Sequence, residues 1–386
     1  MVWYQQSSIQ RRSVTLDGKK SMSINMSFVL YHARMKSRVP LKGSDNPPGA
    51  YIFLPDGPAS TFDNHASFIV VEGSVMQKVL VAKYANFSFV NVMKLEKMSP
   101  SIEIQSTIHL QNVKNIELAM RLETGIDNGE EFFTDLNGYQ LVKRYRFKQL
   151  PLQAHFYPMP TSAIIEDESF RMTLISAQPL GVANLASGQL DVMLDRRLNQ
   201  DDGRGLFSGV TDNKKTSNIF RLTVEGINQN VLSNTGKSKR VTAYHSAQTY
   251  SQMLSLLYPI VIILTNYTEG HIDSLNVISY KLPCDIHLVT LRTLAAPTVY
   301  GRISDRIHSP ENSYALVLHR FGMDCRFNKA SLETCISSLN IKRLFTKTPS
   351  NVTETSLTML YENLGNVSDV NLETMEVKTF RLDYVL

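Results

Sequence analysis

Apolar and polar residues alternate with a period of two through most of the chain. In SIEIQSTIHL (101–110), Ile102, Ile104, Ile108 and Leu110 share one face, while Glu103, Gln105, Thr107 and His109 share the other. The pattern returns in NIELAMRLET (115–124), with Ile116, Leu118, Met120 and Leu122 on one side and Glu117, Arg121 and Glu123 opposite. Successive side chains of a strand point to opposite faces, so this alternation predicts half-buried strands of the antiparallel kind. The short polar connector QNVKN predicts that the two strands pair as a hairpin. Similar patterning predicts strands at 172–177, 189–194, 218–224, 286–291, 315–320 and 377–386. Helical periodicity is short and best at 247–257.

Turn chemistry punctuates the strands at Asp56-Gly57, Asn137-Gly138, Ser187-Gly188 and Asp202-Gly203. Strands separated by such turns, with little helix between them, predict an all-β architecture of packed antiparallel sheets. No repeat of fixed period is visible, which argues against a propeller or solenoid. A change of composition around 265–273 divides the chain into 1–265 and 266–386.

The chain has 386 residues, 43% of them hydrophobic, with a formal net charge of +5. That length holds a large core and more than one domain. Basic residues are scattered, which does not indicate a nucleic-acid surface. The densest basic run, Lys237, Lys239 and Arg240, lies among Ser and Gly and reads as a solvated loop. The most apolar run, MLSLLYPIVIIL (253–264), is shorter than the ~20 residues a bilayer requires. Pro259 interrupts it, and its β-branched second half predicts a buried strand. The N-terminal MVWYQQSSIQRR contains no apolar leader and does not read as the start of a domain, so the chain is expected to be the later part of a longer protein. Acceptor motifs for N-glycosylation occur at Asn25, Asn86, Asn266, Asn351 and Asn366, and they lean towards a secretory context.

Self-sufficient catalytic chemistry is not visible. His271 and Asp273 would share one face of a strand, but a metal needs further ligands, and a polar loop is the favoured reading. Glycoside hydrolysis needs two carboxylates about 5–10 Å apart across a bond. The adjacent Asp201 and Asp202 diverge on extended backbone and do not supply both. There is no GxSxG elbow, P-loop or GxGxxG. The stretch DRRLNQDDGRG (195–205) does suggest a sugar-contact surface. Guanidinium and carboxylate groups match paired sugar hydroxyls through bidentate hydrogen bonds. The glycines beside Arg204 let a ligand or another domain come close, Asp201 or Asp202 is placed to fix the guanidinium, and Tyr51 in GAYIFLPDG offers a ring and a hydroxyl. The competing reading has Arg204 bracing a loop and Tyr51 packed in the core.

Several segments resemble the C-terminal half of class II α-mannosidases, glycoside hydrolase family 38, of the Golgi α-mannosidase II type. They are GAYIFLPDGPA (49–59), FFTDLNGYQ (132–140), KQLPLQAHFYPMPTSAIIED (148–167), RMTLISAQPLGVANLASGQLDVMLDRRLNQDDGRGL (171–206), TDNKKTSNIFRLTVE (211–225), LPCDIHLVTLRT (282–293) and LVLHRFGMDCRF (316–327). The resemblance implies a large antiparallel β-supersandwich, mutarotase-like, over 1–265, followed by a β-sandwich portion over 266–386. It implies that zinc and the reacting carboxylates belong to an N-terminal domain absent from this chain, which carries no cofactor of its own. It also implies that Tyr51 and Arg204, with Asp202 beside them, reach the substrate from the β half. The family usually has Asn where this chain has Gly203, which loosens that loop. Arg196 and Arg197 are expected on opposite faces of their strand end, so at most one can face the sugar. A Cys325–Cys335 disulfide is implied, with Cys284 left over or paired outside this segment. The partners implied are a mannose-containing N-glycan and the N-terminal catalytic domain, in the Golgi lumen. A stand-alone glycan-binding sandwich and a pseudoenzyme subunit remain alternatives.

Overall fold

Alternation fixes which face of each strand is buried, and two sheets meet on those faces. The structure, a computed structural model, describes residues 2–6, 9–16, 20–35, 47–61, 67–74, 76–84, 87–96, 99–228, 242–264, 276–295, 310–327, 338–362 and 365–385. The chain divides into two compact units. The first is Met1–Ile260 with Asp324–Asn328; the second is Val261–Met323 with Lys329–Leu386.

In the first unit an eight-stranded antiparallel sheet runs in the order Val2–Gln6, Ile9–Leu16, Lys20–His32, Ile116–Thr124, Gln189–Arg197, Leu180–Ala183 and Phe156–Met159, with Ser60–Thr61 beside Lys20–His32. A ten-stranded antiparallel sheet runs Thr242–Ala243, Gln140–Tyr145, Glu131–Leu136, Ser162–Glu166, Phe170–Ser176, Thr216–Gly226, Ser101–His109, Phe87–Glu96, Met76–Tyr84 and Ser67–Glu72. Between them Met22, Ile24, Leu118, Met120, Leu190 and Val192 of the first sheet pack with Ile104, Ile108, Ile165, Met172, Leu174 and Phe220 of the second. This is the sandwich core, and apolar burial here is the main source of stability. The glycines of all four predicted turns have positive φ: 90° at Gly57, 77° at Gly138, 76° at Gly188 and 68° at Gly203.

The expected hairpin of 101–110 with 116–124 does not form. Ser101–His109 pairs with Phe87–Glu96 and Thr216–Gly226, whereas Ile116–Thr124 pairs with Lys20–His32 and Gln189–Arg197. The connector carries the chain from one sheet to the other. Both strands turn their predicted apolar faces to the same core, from opposite sides. Alternation specifies a buried face, but not the strand that supplies the partner.

Ser246 caps the helix Ala247–Leu257, its Oγ accepting from the Thr249 N–H at 3.0 Å. The buried strand expected after it is not formed either. Pro259 ends the helix because it has no N–H to continue it. Ile260–Leu264 then makes no ladder among the described residues and stands 77–93% exposed.

The second unit holds a four-stranded antiparallel sheet, ordered Ile286–Ala295, Pro310–Arg320, Val377–Asp383 and Asn351–Thr355. It also holds the pair Ser338–Asn340 and Asp369–Asn371. Leu316, Leu318, Leu339, Ile341, Val352, Phe380 and Leu382 form its core.

The implied Cys325–Cys335 bridge is not made, since Cys325 is an exposed thiol. Its neighbours explain this. The Asp324 and Arg326 side chains both turn into a buried ion network, which leaves Cys325 outward on the intervening turn. Cys284 is disulfide-bonded instead. Cys335, His271, Asp273 and the basic run at 237–240 lie outside the described residues.

Candidate functional site

Tyr51, Asp202 and Arg204 lie in two loops at one end of the eight-stranded sheet, and the first of these loops covers part of the sheet's outer face. Residues 47–61 fold back over this face. Arg34 N–H donates to Leu54 O at 3.0 Å and Asp56 N–H to His32 O at 2.7 Å, which holds the segment beside the end of Lys20–His32. Phe53 packs edge-on against Tyr31 and Phe156, with ring centroids 5.7 and 5.0 Å away. The covering segment explains why Glu117, Ala119 and Asp191, on the polar side of the alternation, are nevertheless buried.

Residues 198–210 form a loop closed by Leu198 and Val210, which exchange two backbone hydrogen bonds of 3.0 and 2.7 Å. Gly209 sits where a Cβ would come within 2.2 Å of Leu198 O, so no other residue fits there. The loop is tied down by Asn199 N–H to Asn115 Oδ1 at 2.7 Å and by Gln200 Nε2 to Arg34 O at 2.8 Å.

Asp202 joins the two loops. It is fully buried. Its Oδ2 accepts from the Tyr51 N–H at 2.7 Å and its Oδ1 from the Arg204 N–H at 3.2 Å. Gly49 packs directly on it, where a Cβ would lie 2.7 Å from Asp202 N. Asp202 is therefore a clamp on two backbone segments, and its carboxylate does not fix the Arg204 guanidinium. The Tyr51 side chain is 66% exposed and that of Arg204 is exposed. Tyr51 is not a core residue. Among the described residues the Arg204 guanidinium has no carboxylate partner.

The neighbouring arginines brace this arrangement. Arg196 donates to Gly49 O at 3.3 Å and Ala50 O at 2.5 Å, while Arg197 donates to Thr211 O at 2.8 Å and Asn213 Oδ1 at 3.0 Å. One holds the Tyr51 loop and the other the base of the Arg204 loop. A β-bulge between Met193 and Asp195 displaces the register of this strand end, which then pairs Arg196 with Glu117. Farther along the same strand, Arg121 grips Asp191 with two bonds of 2.8 and 2.7 Å, and the Tyr31 hydroxyl donates to Asp191 at 2.5 Å. Burial, reinforced by the Asp191 charge, holds the Tyr31 phenol protonated. Nothing in the sequence marked this trio, because its members lie 160 positions apart at the extremes.

Glu117 makes a testable contribution. Burial pushes its carboxyl from the ordinary 4.5 up to about 7, against the pull of Arg196. The folded state then holds this proton more tightly than the unfolded chain, so stability falls as pH rises between about 4.5 and 7. His245 has the opposite sign. Burial, aided by the Arg171 charge, depresses its pKa from 6.5 to about 3, so stability is lost as pH falls from 6.5 towards 3. The two slopes oppose each other where they overlap. In Glu117→Gln, urea midpoints are expected to rise with pH up to about 6.5 and then level. The unsubstituted chain is expected to be flatter below that pH and to decline above it. Parallel curves for the two proteins would show that Glu117 titrates as an ordinary carboxylate.

Phe207 is 87% exposed, with φ of 58°. A bulky residue in the left-handed region is strained, whereas Asn tolerates that conformation. Phe207→Asn is expected to raise the stability of the first unit by about 1 kcal/mol, read as a higher urea midpoint. A lowered midpoint would mean that the ring packs in solution.

With this geometry in place, similarity to known proteins sets the class. The family model described as glycosyl hydrolases family 38 C-terminal domain matches residues 7–204. The chain is 33% identical to human alpha-mannosidase 2 over 392 residues, covering 98% of this chain and 33% of that protein. It is 36% identical to mouse alpha-mannosidase 2x over 383 residues, covering 95% and 32% respectively. A solved alpha-mannosidase from Enterococcus faecalis shares the fold with a TM-score of 0.61 at 14% identity, over 99% of this chain and 42% of that one. The class is thus that of the glycosyl hydrolases. Within it, the chain belongs to family 38 and carries that family's C-terminal domain. It spans about a third of the length of the curated relatives it matches.

Among the described residues no helix is long and apolar enough to cross a membrane. Nor do three or more His, Cys, Asp or Glu side chains among them converge as a metal would require.

Proposed function

We propose that this chain is the β half of an α-mannosidase that hydrolyses α-linked mannose of N-glycans in the Golgi lumen. A separate N-terminal domain, bearing zinc and the reacting carboxylates, supplies the bond-breaking chemistry by a retaining mechanism. By itself this chain is inactive. Its part is to bind and orient. The Arg204 guanidinium donates paired hydrogen bonds to vicinal sugar hydroxyls, a fit that depends on its planar fork. Tyr51 adds a ring face and a hydroxyl. One observation carries this reading: a single buried carboxylate clamps the backbones of Tyr51 and Arg204, while both side chains point outward from a braced wall.

The test uses the complete protein with its catalytic domain. Arg204→Ala should lower kcat/KM for a mannose oligosaccharide roughly 10- to 100-fold, the worth of one charged hydrogen-bonding group. Thermal stability should be unchanged, because the side chain is exposed. Arg204→Lys keeps the charge without the fork and should recover only part of the loss. Unchanged kcat/KM in Arg204→Ala would overturn the assignment. Tight glycan binding by this chain without a catalytic domain would instead favour a stand-alone glycan-binding sandwich.

A further inference from the structure

The structure assigns Asn366 as an acceptor of N-linked oligosaccharide, an inference that rests on the lumenal reading above. Three of the five Asn-x-Ser/Thr motifs lie among the described residues, at Asn25, Asn351 and Asn366. Identical sequence chemistry does not make them equal. A sugar on an acceptor replaces one hydrogen of the amide Nδ2 and needs open space beyond it.

Asn25 fails on space. It lies mid-strand in Lys20–His32, with Arg11 on one side and Glu123 on the other, and its Oδ1 is buried. Asn351 fails on hydrogens. It is half-buried, and its Nδ2 donates to Thr353 Oγ1 at 3.1 Å and to Asp383 Oδ2 at 3.4 Å. Both amide hydrogens are used within the fold.

Asn366 meets both conditions. Its side chain is exposed. Its Oδ1 accepts from the Val352 N–H at 3.3 Å, so the oxygen must be the atom facing the protein. The planar amide then turns Nδ2 away, where it has no partner among the described residues. Val367 N–H donates back to Val352 O at 2.9 Å, and the Val367 side chain packs on the second unit's core. The acceptor loop is therefore pinned at its middle residue, with Asn366 and Ser368 on the outside. Val352, the middle residue of the Asn351 motif, bonds both Asn366 and Val367 of the other motif, yet one motif presents its amide and the other has sealed it.

In the transfer, C1 of an oligosaccharide pyrophosphate bonds to Nδ2 of Asn366. The bond from C1 to the pyrophosphate oxygen breaks, the pyrophosphate leaves with the electron pair, and the amide nitrogen gives up one proton.

Two arms test this. In the first, the full chain is directed into the secretory lumen of cultured cells by an added signal peptide. The soluble product is treated with peptide N-glycosidase in ¹⁸O-water, which converts each glycosylated Asn to labelled Asp, and is mapped by mass spectrometry. Label is expected at Asn366 and at neither Asn25 nor Asn351. Ser368→Ala, which leaves the Oδ1 contact with Val352 intact, should abolish it, as should Asn366→Gln. An unlabelled Asn366 in the soluble chain overturns the assignment. The second arm maps the native protein from its own cells. If no acceptor is labelled there while the directed chain is labelled at Asn366, the lumenal reading falls and the acceptor assignment stands.

Discussion

Replacing Arg171 by alanine is expected to lower the stability of the first unit by about 3–5 kcal/mol, the cost of removing one partner from a buried ion pair. Arg171 is 1% exposed and stands between two acids. Its Nε and Nη2 donate to Glu166 Oε2 at 2.8 and 2.5 Å, and Nη2 also donates to Asp324 Oδ2 at 2.9 Å. Nη1 donates to Tyr244 O at 2.8 Å, and the guanidinium lies 4.6 Å from the Phe327 ring centroid. Arg326 bonds the same two carboxylates, at 2.9 Å to Glu166 and 2.7 Å to Asp324. The quartet is neutral. Without Arg171, two buried carboxylates share one cation.

Urea unfolding followed at several pH values should show this loss and one further effect. Burial works to raise the Asp324 pKa, but its bonds to Arg326 and the charges of Arg171 and Arg326 overcome it and hold it below the ordinary range. A depressed carboxylate stabilises the fold above its unfolded pKa, and that stability is lost as pH falls through the folded value. Arg171→Ala should shrink this acid-side loss. Residues 324–327, tied to the first unit by this network and by backbone bonds to His245 and Asn228, should become an early site of proteolysis. Arg171→Lys should fall between the two, since it restores charge without the fork. A loss below about 1 kcal/mol would place the quartet with surface pairs, whose partners water can replace.

Asp202→Ala is the second large effect, with a loss of about 3 kcal/mol expected. Two backbone donors give up bonds to an ionised acceptor in a buried position, each worth about 1.5–3 kcal/mol. The controls make the mechanism testable. Tyr51→Phe and Arg204→Ala truncate side chains but leave both backbone N–H groups in place, so their urea midpoints should match the unsubstituted chain. Asp202→Asn keeps one acceptor and turns an NH₂ towards the other donor, so it should lose more than half of what Ala loses. In the complete protein Asp202→Ala should also reduce kcat/KM, because it frees together the two residues proposed to contact the sugar. Asp202→Ala with an unchanged urea midpoint would mean that the two loops hold their positions without the clamp.

Much of the fold is legible in the chain's local pattern. The apolar faces at 101–110 and 115–124, the helix 247–257 and the four turns follow from periodicity and turn residues. Each depends on interactions within a few positions of chain. Pattern and structure part where distant residues decide. Pairing 101–110 with 116–124 is natural from their separation, yet both strands have better partners in different sheets. The run 260–264 has the composition of a buried strand, but burial depends on a partner that composition does not name. The cysteine pairing fails for the same reason, because the orientation of Cys325 follows from the ion network that claims its neighbours.

For the candidate site, the sequence supplies the residues and the fold assigns their tasks. Tyr51, Asp202 and Arg204 are marked by their own chemistry and by resemblance. Separation along the chain hides that Asp202 binds the backbones of the other two, that Arg196 and Arg197 brace opposite loops, and that Glu117 is covered.

The sequence by itself determined the all-β class, the inward face of the central strands, the sites of the turns and the membership of family 38. It could do so because side-chain alternation, glycine conformation and motif identity are local properties. Only the tertiary structure decided which sheet each strand joins, which carboxylate is a clamp and which asparagine presents its amide. Those outcomes depend on what packs over a residue, and the covering groups here lie up to 160 positions away.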